Sequence, residues 1–153
     1  MSVQQFKLIF SDVAKKLEMD LGEVGESSRF IIQFKQPGVP RIIFDYLPEQ
    51  DSVLICSEVG FVDKDRESEL LHSIMHRQLL WLKSSGVTFA MATENNAIVA
   101  QMLLSVQLMT VDSLGQALSD FTAQLIAVRR ELFGVKDDAG DAEGDSDYKG
   151  LKV

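Results

Sequence analysis

The sequence predicts an α+β fold, in which an antiparallel sheet is covered by helices, with the element order α-β-β-β-α-β-β-α. Two patterns support this class. Apolar residues recur at helical spacing in three segments, at the start, in the middle and at the end of the chain. Between them lie runs rich in β-branched and aromatic residues, separated by turn-forming residues. Strands grouped between helices in this way are typical of an antiparallel sheet.

The first helix is predicted over residues 2–20. Ser2 and Gln5 fit a capping box, in which each side chain bonds the backbone N–H of the other residue. Gly22 fits the stop of this helix. Four residues at helical spacing form its apolar face: Phe6, Phe10, Val13 and Leu17.

Three strands are predicted next, over residues 29–35, 41–47 and 52–59, with turn signals at 37–38 and 48–51. The short connections predict an antiparallel meander. Because side chains alternate along a strand, one face of the first two strands is apolar and the other mainly polar. Three large aliphatic residues nevertheless interrupt the polar face: Ile31, Ile43 and Leu47.

The second helix is predicted over residues 64–83, and its apolar arc is unusually wide. At about 100° per residue, apolar side chains fill about half of the helix circumference. A sheet covers only about a third of a helix surface, so the excess predicts a second apolar partner. An isologous homodimer is the commonest way to cover such a surface, and we expect one here. The alternative is that the last helix covers the arc within a single chain.

Two further strands are predicted over residues 87–93 and 97–108. The second of them is apolar on one face, and its other face still carries Val99 and Leu103 among polar and small residues. A strand that is apolar on both faces is either fully buried or partly used for binding.

The last helix is predicted over residues 111–133, and Gly134 fits its stop. Its apolar positions alternate spacings of three and four: Val111, Leu114, Leu118, Phe121, Leu125, Val128 and Leu132. The composition then changes, because residues 135–153 carry six acidic side chains against three lysines and few large apolar groups. Such a segment cannot bury enough surface to offset chain entropy. We therefore predict one domain over 1–134 and an acidic disordered tail over 135–153.

The composition suits a soluble domain and excludes several classes of partner. The chain has 153 residues, of which 46% are hydrophobic and 25% charged. Its net charge of −8 repels phosphate backbones and anionic lipid, so we expect neither nucleic acid nor a membrane surface as a partner. No apolar run approaches the roughly 20 residues needed to cross a bilayer. The N-terminus lacks a secretory signal pattern, and the single Cys56 permits no intramolecular disulfide, so we expect a cytoplasmic protein.

His72 and His76 stand four residues apart on a predicted helix, which raises the question of a metal site. A zinc protease needs HExxH with the glutamate as general base, but Ser73 occupies that position. A catalytic zinc also needs a third protein ligand, and Glu69 is the one residue suitably placed. We therefore predict no metal and no cofactor, with both histidines in solvent or at the edge of an interface. A metal-dependent hydrolase stays as an alternative, which metal analysis of the purified protein would test.

Other catalytic patterns are missing from the sequence. Cys56 lies in an apolar strand, where a thiol usually behaves as a small inert hydrophobe. There is no G-x-S-x-G elbow, no phosphate-binding P-loop and no G-x-G-x-x-G motif. The positive signal is excess apolar surface together with six methionines, which adapt their shape to variable partners. The sequence therefore predicts a protein that binds apolar polypeptide and is not an enzyme.

The element order, length and acidity resemble the class I chaperones of type III secretion, the Tir-chaperone or CesT-like family. The resemblance covers about residues 2–133 and is most evident over 97–132, where a long apolar strand, a cap and a helix with regular Leu and Phe spacing follow one another. It implies a cytosolic homodimer in a Gram-negative bacterium, with a role in virulence and no ATP hydrolysis of its own. Such a chaperone binds the extended N-terminal segment of one or more effectors and keeps it soluble and secretion-competent. It then presents the effector to the secretion machinery, with the secretion ATPase as a further expected partner.

The resemblance also assigns two groups of residues. The helix over 64–83, with strand 87–93 beside it, would form the dimer interface through Leu71, Ile74, Met75, Gln78, Trp81 and Leu82. The first helix and the sheet would bind the effector through Leu8, Ile31, Ile43, Leu47, Val99 and Leu103. The alternative from a different class is a small α+β adaptor or regulatory protein-binding domain that is unrelated to secretion.

Overall fold

An antiparallel sheet organises the chain, which we describe from a computed structural model over residues 3–17, 19–21, 29–33, 40–79, 84–107 and 109–134. The predicted tail at 135–153 lies outside the described residues. The helices and strands are α1 (Val3–Lys16), β1 (Asp20–Leu21), β2 (Arg29–Gln33), β3 (Ile42–Leu47), β4 (Ser52–Phe61), α2 (Glu67–Gln78), β5 (Thr88–Ala92), β6 (Ala97–Ser105) and α3 (Val111–Phe133).

The strand order across the sheet is β1-β2-β3-β4-β6-β5, and every neighbouring pair is antiparallel. Strands β2, β3 and β4 form the predicted meander. The chain then passes through α2 and returns as the hairpin of β5 and β6, with β6 pairing to β4. The predicted α+β class and element order are confirmed, and β1 is a two-residue addition that the sequence analysis missed.

Five aromatic rings fix α1 against one face of the sheet. The ring of Phe6 stacks on Tyr46 of β3 with centroids 5.4 Å apart. The ring of Phe10 meets Phe44 edge-on at 4.8 Å and lies 5.0 Å from Phe30 of β2. All five rings are almost fully buried. Such ring pairs stabilise the fold by about 0.5–1.5 kcal/mol each, beyond the gain from burying their area. The relative orientation of the rings therefore helps to hold α1 against the sheet.

Helix α3 lies on the same face as α1 and matches its predicted range. Its capping box joins Thr110 and Ser113, and Gly134 ends it in the left-handed conformation, at φ 63°. The predicted apolar row is buried at six positions: Leu114, Leu118, Phe121, Leu125, Val128 and Leu132. Helix α2 lies beside α3, because Arg77 bonds both Gln124 and Glu131 of that helix.

An ion pair ties the end of α1 to the start of α3. Lys16 Nζ lies 2.7 Å from Asp112 Oδ1, and both side chains are exposed. The hydrogen bond and the charge of Lys16 lower the pKa of the Asp112 carboxyl, which also lies at the positive end of the α3 dipole. The pair therefore marks the point on the surface at which the two helices meet.

Helices α1 and α2 and strand β6 are shorter than predicted. Helix α1 ends at Lys16, not at residue 20, because the N–H of Met19 bonds the carbonyl of Ala14 and turns the chain toward β1. Leu17, predicted on the apolar face, is therefore outside the helix and exposed. Helix α2 is preceded by a 3₁₀ turn over 64–66 and ends at Gln78. Strand β6 ends at Ser105, three residues early.

Gly60 is the point at which β4 passes directly under α3. A Cβ at this position would lie 2.9 Å from Cδ1 of Phe133. The register of β4 against β6 shifts between Glu58 and Gly60, so a β-bulge turns Gly60 toward the helix side. The absence of a side chain at Gly60 lets the last turn of α3 approach the sheet.

We therefore expect Gly60→Ala to lower the free energy of unfolding by about 1–3 kcal/mol, because the added methyl group overpacks the ring of Phe133. Urea unfolding followed by circular dichroism would measure this. In a Phe133→Ala background the same Gly60→Ala change should cost much less, since the clashing ring is absent. A Gly60→Ala protein as stable as wild type, with Phe133 in place, would contradict the packing described here.

Candidate functional site

The helices of the described chain pack against one face of the sheet and leave the other without a helical cover. We call this second surface the open face. Residues that stand directly opposite one another in neighbouring strands point to the same face, so the strand registers define it from β2 to β6. Its central members are Arg29, Ile31, Ile43, Asp45, Leu47, Leu54, Cys56, Glu58, Val99, Gln101 and Leu103.

The pairing register brings apolar side chains of four strands together on the open face. Ile31 stands opposite Ile43, which stands opposite Cys56. Leu54 stands opposite Leu103 of β6. With about 4.8 Å between strands, the surface from β2 to β6 spans about 15 Å. This width suits four or five residues of an extended chain that crosses the strands.

Five of the six residues predicted to bind an effector share this open face: Ile31, Ile43, Leu47, Val99 and Leu103. Their clustering was not part of the sequence prediction, because it depends on the register. The sixth, Leu8, is exposed on α1, which packs on the opposite face of the sheet. The structure therefore does not bring Leu8 together with the other five.

The apolar side chains of the open face keep substantial contact with solvent. Ile31 is 45% exposed and Leu103 is 57% exposed. Ile43, Leu54 and Val99 are half-buried by their neighbours in the sheet. Large aliphatic side chains grouped on an exposed surface are typical of a binding site, since isolated ones are common but clusters are not.

Sequence reasoning missed two apolar residues of this surface. Side chains alternate between the two faces along β4, and Leu54 lies between the buried Val53 and Ile55. The sequence pattern could therefore have placed Leu54 on the open face. Phe61 is 56% exposed and pairs with Ala97, on the same side as Val99. The β-bulge before Gly60 reverses the alternation there, and the sequence carries no clear signal of that bulge.

An ion pair borders the apolar cluster at the β2–β3 end. Arg29 donates two hydrogen bonds to Asp45 Oδ2, from Nη2 at 2.6 Å and from Nε at 3.2 Å. The Asp45 side chain is largely buried and that of Arg29 is more exposed. The two residues also face each other across the strands, so the pair reinforces the register that assembles the open face.

Cys56 lies in the middle of the open face, between Ile43 and Gln101. Burial raises the pKa of its thiol above the ordinary value; the charge of Arg29 opposes this rise and that of Asp45 adds to it. A raised pKa means little thiolate at neutral pH, which is the reverse of an activated nucleophile. The thiol therefore contributes apolar surface to the open face.

The residues predicted for the dimer interface divide between the inside and the outside of the chain. Ile74 is almost fully buried in the core, and Leu71 packs partly against it. Met75 is 71% exposed, and Leu79, four residues later, is 61% exposed. The Gln78 side chain accepts a hydrogen bond from the N–H of Phe89 on β5, at 2.7 Å. The other two, Trp81 and Leu82, lie outside the described residues.

His72 and His76 are both exposed on α2, with ring centroids 5.3 Å apart. Over the described ranges, no group of three or more histidine, cysteine or carboxylate side chains is arranged to hold a metal ion. The same ranges contain no helix whose length and hydropathy would let it cross a lipid bilayer.

A separate apolar groove lies where β6 runs into α3. Its volume is about 300 Å³. The residues around it are Leu104, Ser105, Gln107, Met109, Ser113 and Leu114. It is bounded by the capped start of α3 and is distinct from the apolar cluster of the open face.

Comparison with solved structures places this architecture among known folds. The HopA1-SchA chaperone-effector complex matches with a TM-score of 0.66 and 12% identity, over 85% of this chain and 97% of that one. The heterodimeric ExoU-SpcU complex from the type III secretion system of Pseudomonas aeruginosa matches with a TM-score of 0.58 and 13% identity, over 77% and 94%. The chain has the fold of a class I type III secretion chaperone.

The same fold also occurs in another context. YbjN from E. coli, described as a candidate transcription regulator, matches with a TM-score of 0.65 and 15% identity, over 88% of this chain and 92% of that one. No protein-family model and no curated protein sequence matches the chain. Because all these identities are low, the comparisons establish the fold, and the role of the open face must be argued from its residues.

Cys56 provides a direct test of the open-face environment. We expect alkylation of Cys56 to require a higher pH than alkylation of a cysteine in a short peptide, because burial raises the pKa of the thiol. In Arg29→Gln the pH of half-maximal rate should rise further, since the charge that stabilises the thiolate is gone. Iodoacetamide labelling followed by mass spectrometry would measure both. If the pH of half-maximal alkylation of Cys56 were equal to or below that of the peptide cysteine, the buried environment described for this thiol would be contradicted.

Proposed function

We propose that this protein is a cytoplasmic type III secretion chaperone that binds the extended N-terminal segment of one or more effectors. The observation that carries the proposal is the apolar open face, on a fold that occurs in a chaperone-effector complex. Binding at this face keeps an aggregation-prone segment soluble and ready for secretion. The role needs surface complementarity and no catalytic group.

The open face has the properties that such binding requires. An extended segment that crosses it places alternate side chains among Ile31, Ile43, Leu103 and their neighbours, which removes apolar surface of both partners from water. The net charge of −8 keeps a protein with this much exposed apolar surface in solution. The same charge disfavours nucleic acid as a competing partner.

The proposal includes a homodimer formed through α2 and the neighbouring edge strand β5. We call Met75 of α2 and Leu79, the residue directly after α2, the outer row of α2; both side chains are exposed to solvent. Strand β5 is the last strand of the sheet. The bond from Phe89 to Gln78 holds α2 beside this edge, so both elements belong to one surface. Trp81 and Leu82, which lie outside the described residues, are included in the proposed interface on the sequence resemblance alone.

A second candidate function is supported by the likeness to YbjN. A fold shared with a candidate transcription regulator also suits an adaptor or regulatory domain that binds protein without any link to secretion. The two proposals differ in the partner. A chaperone binds the N-terminal segment of a secreted protein, whereas a regulatory domain binds a partner that stays in the cell.

Purification of the tagged protein from its native host, followed by mass measurement and identification of bound polypeptides, separates these functions. The chaperone proposal predicts a dimer that carries a secreted protein, and binding should be lost when the N-terminal segment of that protein is deleted. A monomer without a polypeptide partner would refute it. A dimer bound only to a protein that stays in the cell would favour the regulatory function.

Acidic substitutions test the open face directly. Ile43→Asp and Val99→Asp should each weaken effector binding about 100-fold or more, because an unpaired carboxylate would be buried against the bound segment. Leu103→Asp tests the more exposed position, whose side chain is 57% exposed. Leu8→Asp is the matched control, since Leu8 is equally apolar and exposed but lies on the other side of the sheet. Isothermal titration with the effector segment measures affinity, and circular dichroism confirms folding. Folded open-face variants that bind as tightly as Leu8→Asp would refute the site.

The dimer is tested separately. Met75→Asp combined with Leu79→Asp should convert a dimer into a monomer, because four carboxylates would meet at the interface without partners. Analytical ultracentrifugation of this variant and of Leu8→Asp would give the masses. A double variant that stays dimeric would place the interface elsewhere on the chain, whatever the outcome at the open face.

A further inference from the structure

We propose that His72 and His76 chelate a divalent transition-metal ion, with Zn²⁺ as the probe, on the exposed side of α2. Their four-residue spacing on a helix places the two side chains one above the other. Both are exposed, so a metal ion can reach them without any change in the fold. The inference revises the sequence-based expectation that no metal binds, because it concerns a two-ligand chelate and not a catalytic zinc site. It is independent of the proposed chaperone function.

The separation of the two rings fits a shared metal ion. Zn–N bonds are about 2.0–2.1 Å long and the ring centre lies about 1.1 Å beyond the nitrogen, so two imidazoles in tetrahedral coordination have centroids about 5.2 Å apart. The centroids of His72 and His76 are 5.3 Å apart. The two rings therefore lie at a centroid separation that shared tetrahedral coordination allows, and rotation of the exposed side chains can direct one nitrogen of each ring toward the same ion.

The surroundings favour a cation at this position. The positive charge of the neighbouring Arg77 is directed toward Glu131 of α3, and Arg66 lies 3.6 Å from Glu69. The protein as a whole carries a net charge of −8, which attracts cations from solution. Imidazole ligands select zinc, copper or nickel over calcium and magnesium, so the pair discriminates against the hard cations that carboxylates attract.

Two protein ligands leave half of a tetrahedral ion open to water. This agrees with the absence of a three-ligand group among the described residues and distinguishes the pair from a closed structural zinc site. The pair lies next to the outer row of α2, close to Met75. A bound ion would therefore sit at the border of the proposed dimer surface, where its charge is still solvated.

The test is a titration of the full chain with Zn²⁺ in a buffer that contains excess Mg²⁺, which occupies carboxylate sites. We expect one Zn²⁺ per chain, with affinity lowered at least about tenfold in His72→Ala and in His76→Ala, because each leaves a single imidazole. When Co²⁺ replaces Zn²⁺, the wild type should change the visible absorption from that of the aqueous ion, and neither variant should do so.

A rearranged pair provides the matched control. The double variant Ser68→His with His72→Ser keeps two exposed histidines on α2 but places them eight residues, or about 12 Å, apart, too far to share one ion. We expect this variant to bind Zn²⁺ as weakly as His72→Ala. Equal Zn²⁺ affinity in the wild type and in the rearranged variant would overturn the chelate, as would absence of Zn²⁺ binding to the wild type.

Discussion

The architecture depends on one constraint: the sheet carries apolar side chains on both faces, whereas the helices of the described chain pack against one. Phe6 and Phe10 of α1 pack against the rings of β2 and β3, and α3 packs against β4 with an uninterrupted apolar row. These contacts place both helices on one face of the sheet. The second face is left with side chains that the monomer itself does not bury.

The two faces cannot be changed independently, because a strand alternates between them. A shift of one residue in the pairing of β3 would move Phe44 out of the core and Ile43 into it. The Arg29–Asp45 pair and the aromatic cluster therefore stabilise the same register from opposite sides of the sheet. The register that buries the aromatic core thus also sets which aliphatic residues stand on the open face.

The sequence predicted those features that depend on local periodicity. Helix α3 was predicted to the residue, because its apolar row, cap and terminal glycine all agree. The aliphatic residues that interrupt otherwise polar strand faces lie together on the open face in the structure, and Leu54 was overlooked. Features that depend on tertiary structure were missed: the β-bulge that turns Phe61 outward, and the turn at Met19 that ends α1 early. Leu8 was grouped with the others because a sequence does not show on which side of the sheet a helix packs.

The wide apolar arc of α2 shows how one pattern can serve two surfaces. Its inner part, with Leu70 and Ile74, belongs to the core, and its outer part, with Met75, remains exposed. Gln78 fixes this division, because its bond to Phe89 sets the rotation of α2 against the edge of the sheet. The outer row of α2 and the open face share no residue. The dimer and the bound segment proposed above would therefore not compete for a residue of either surface.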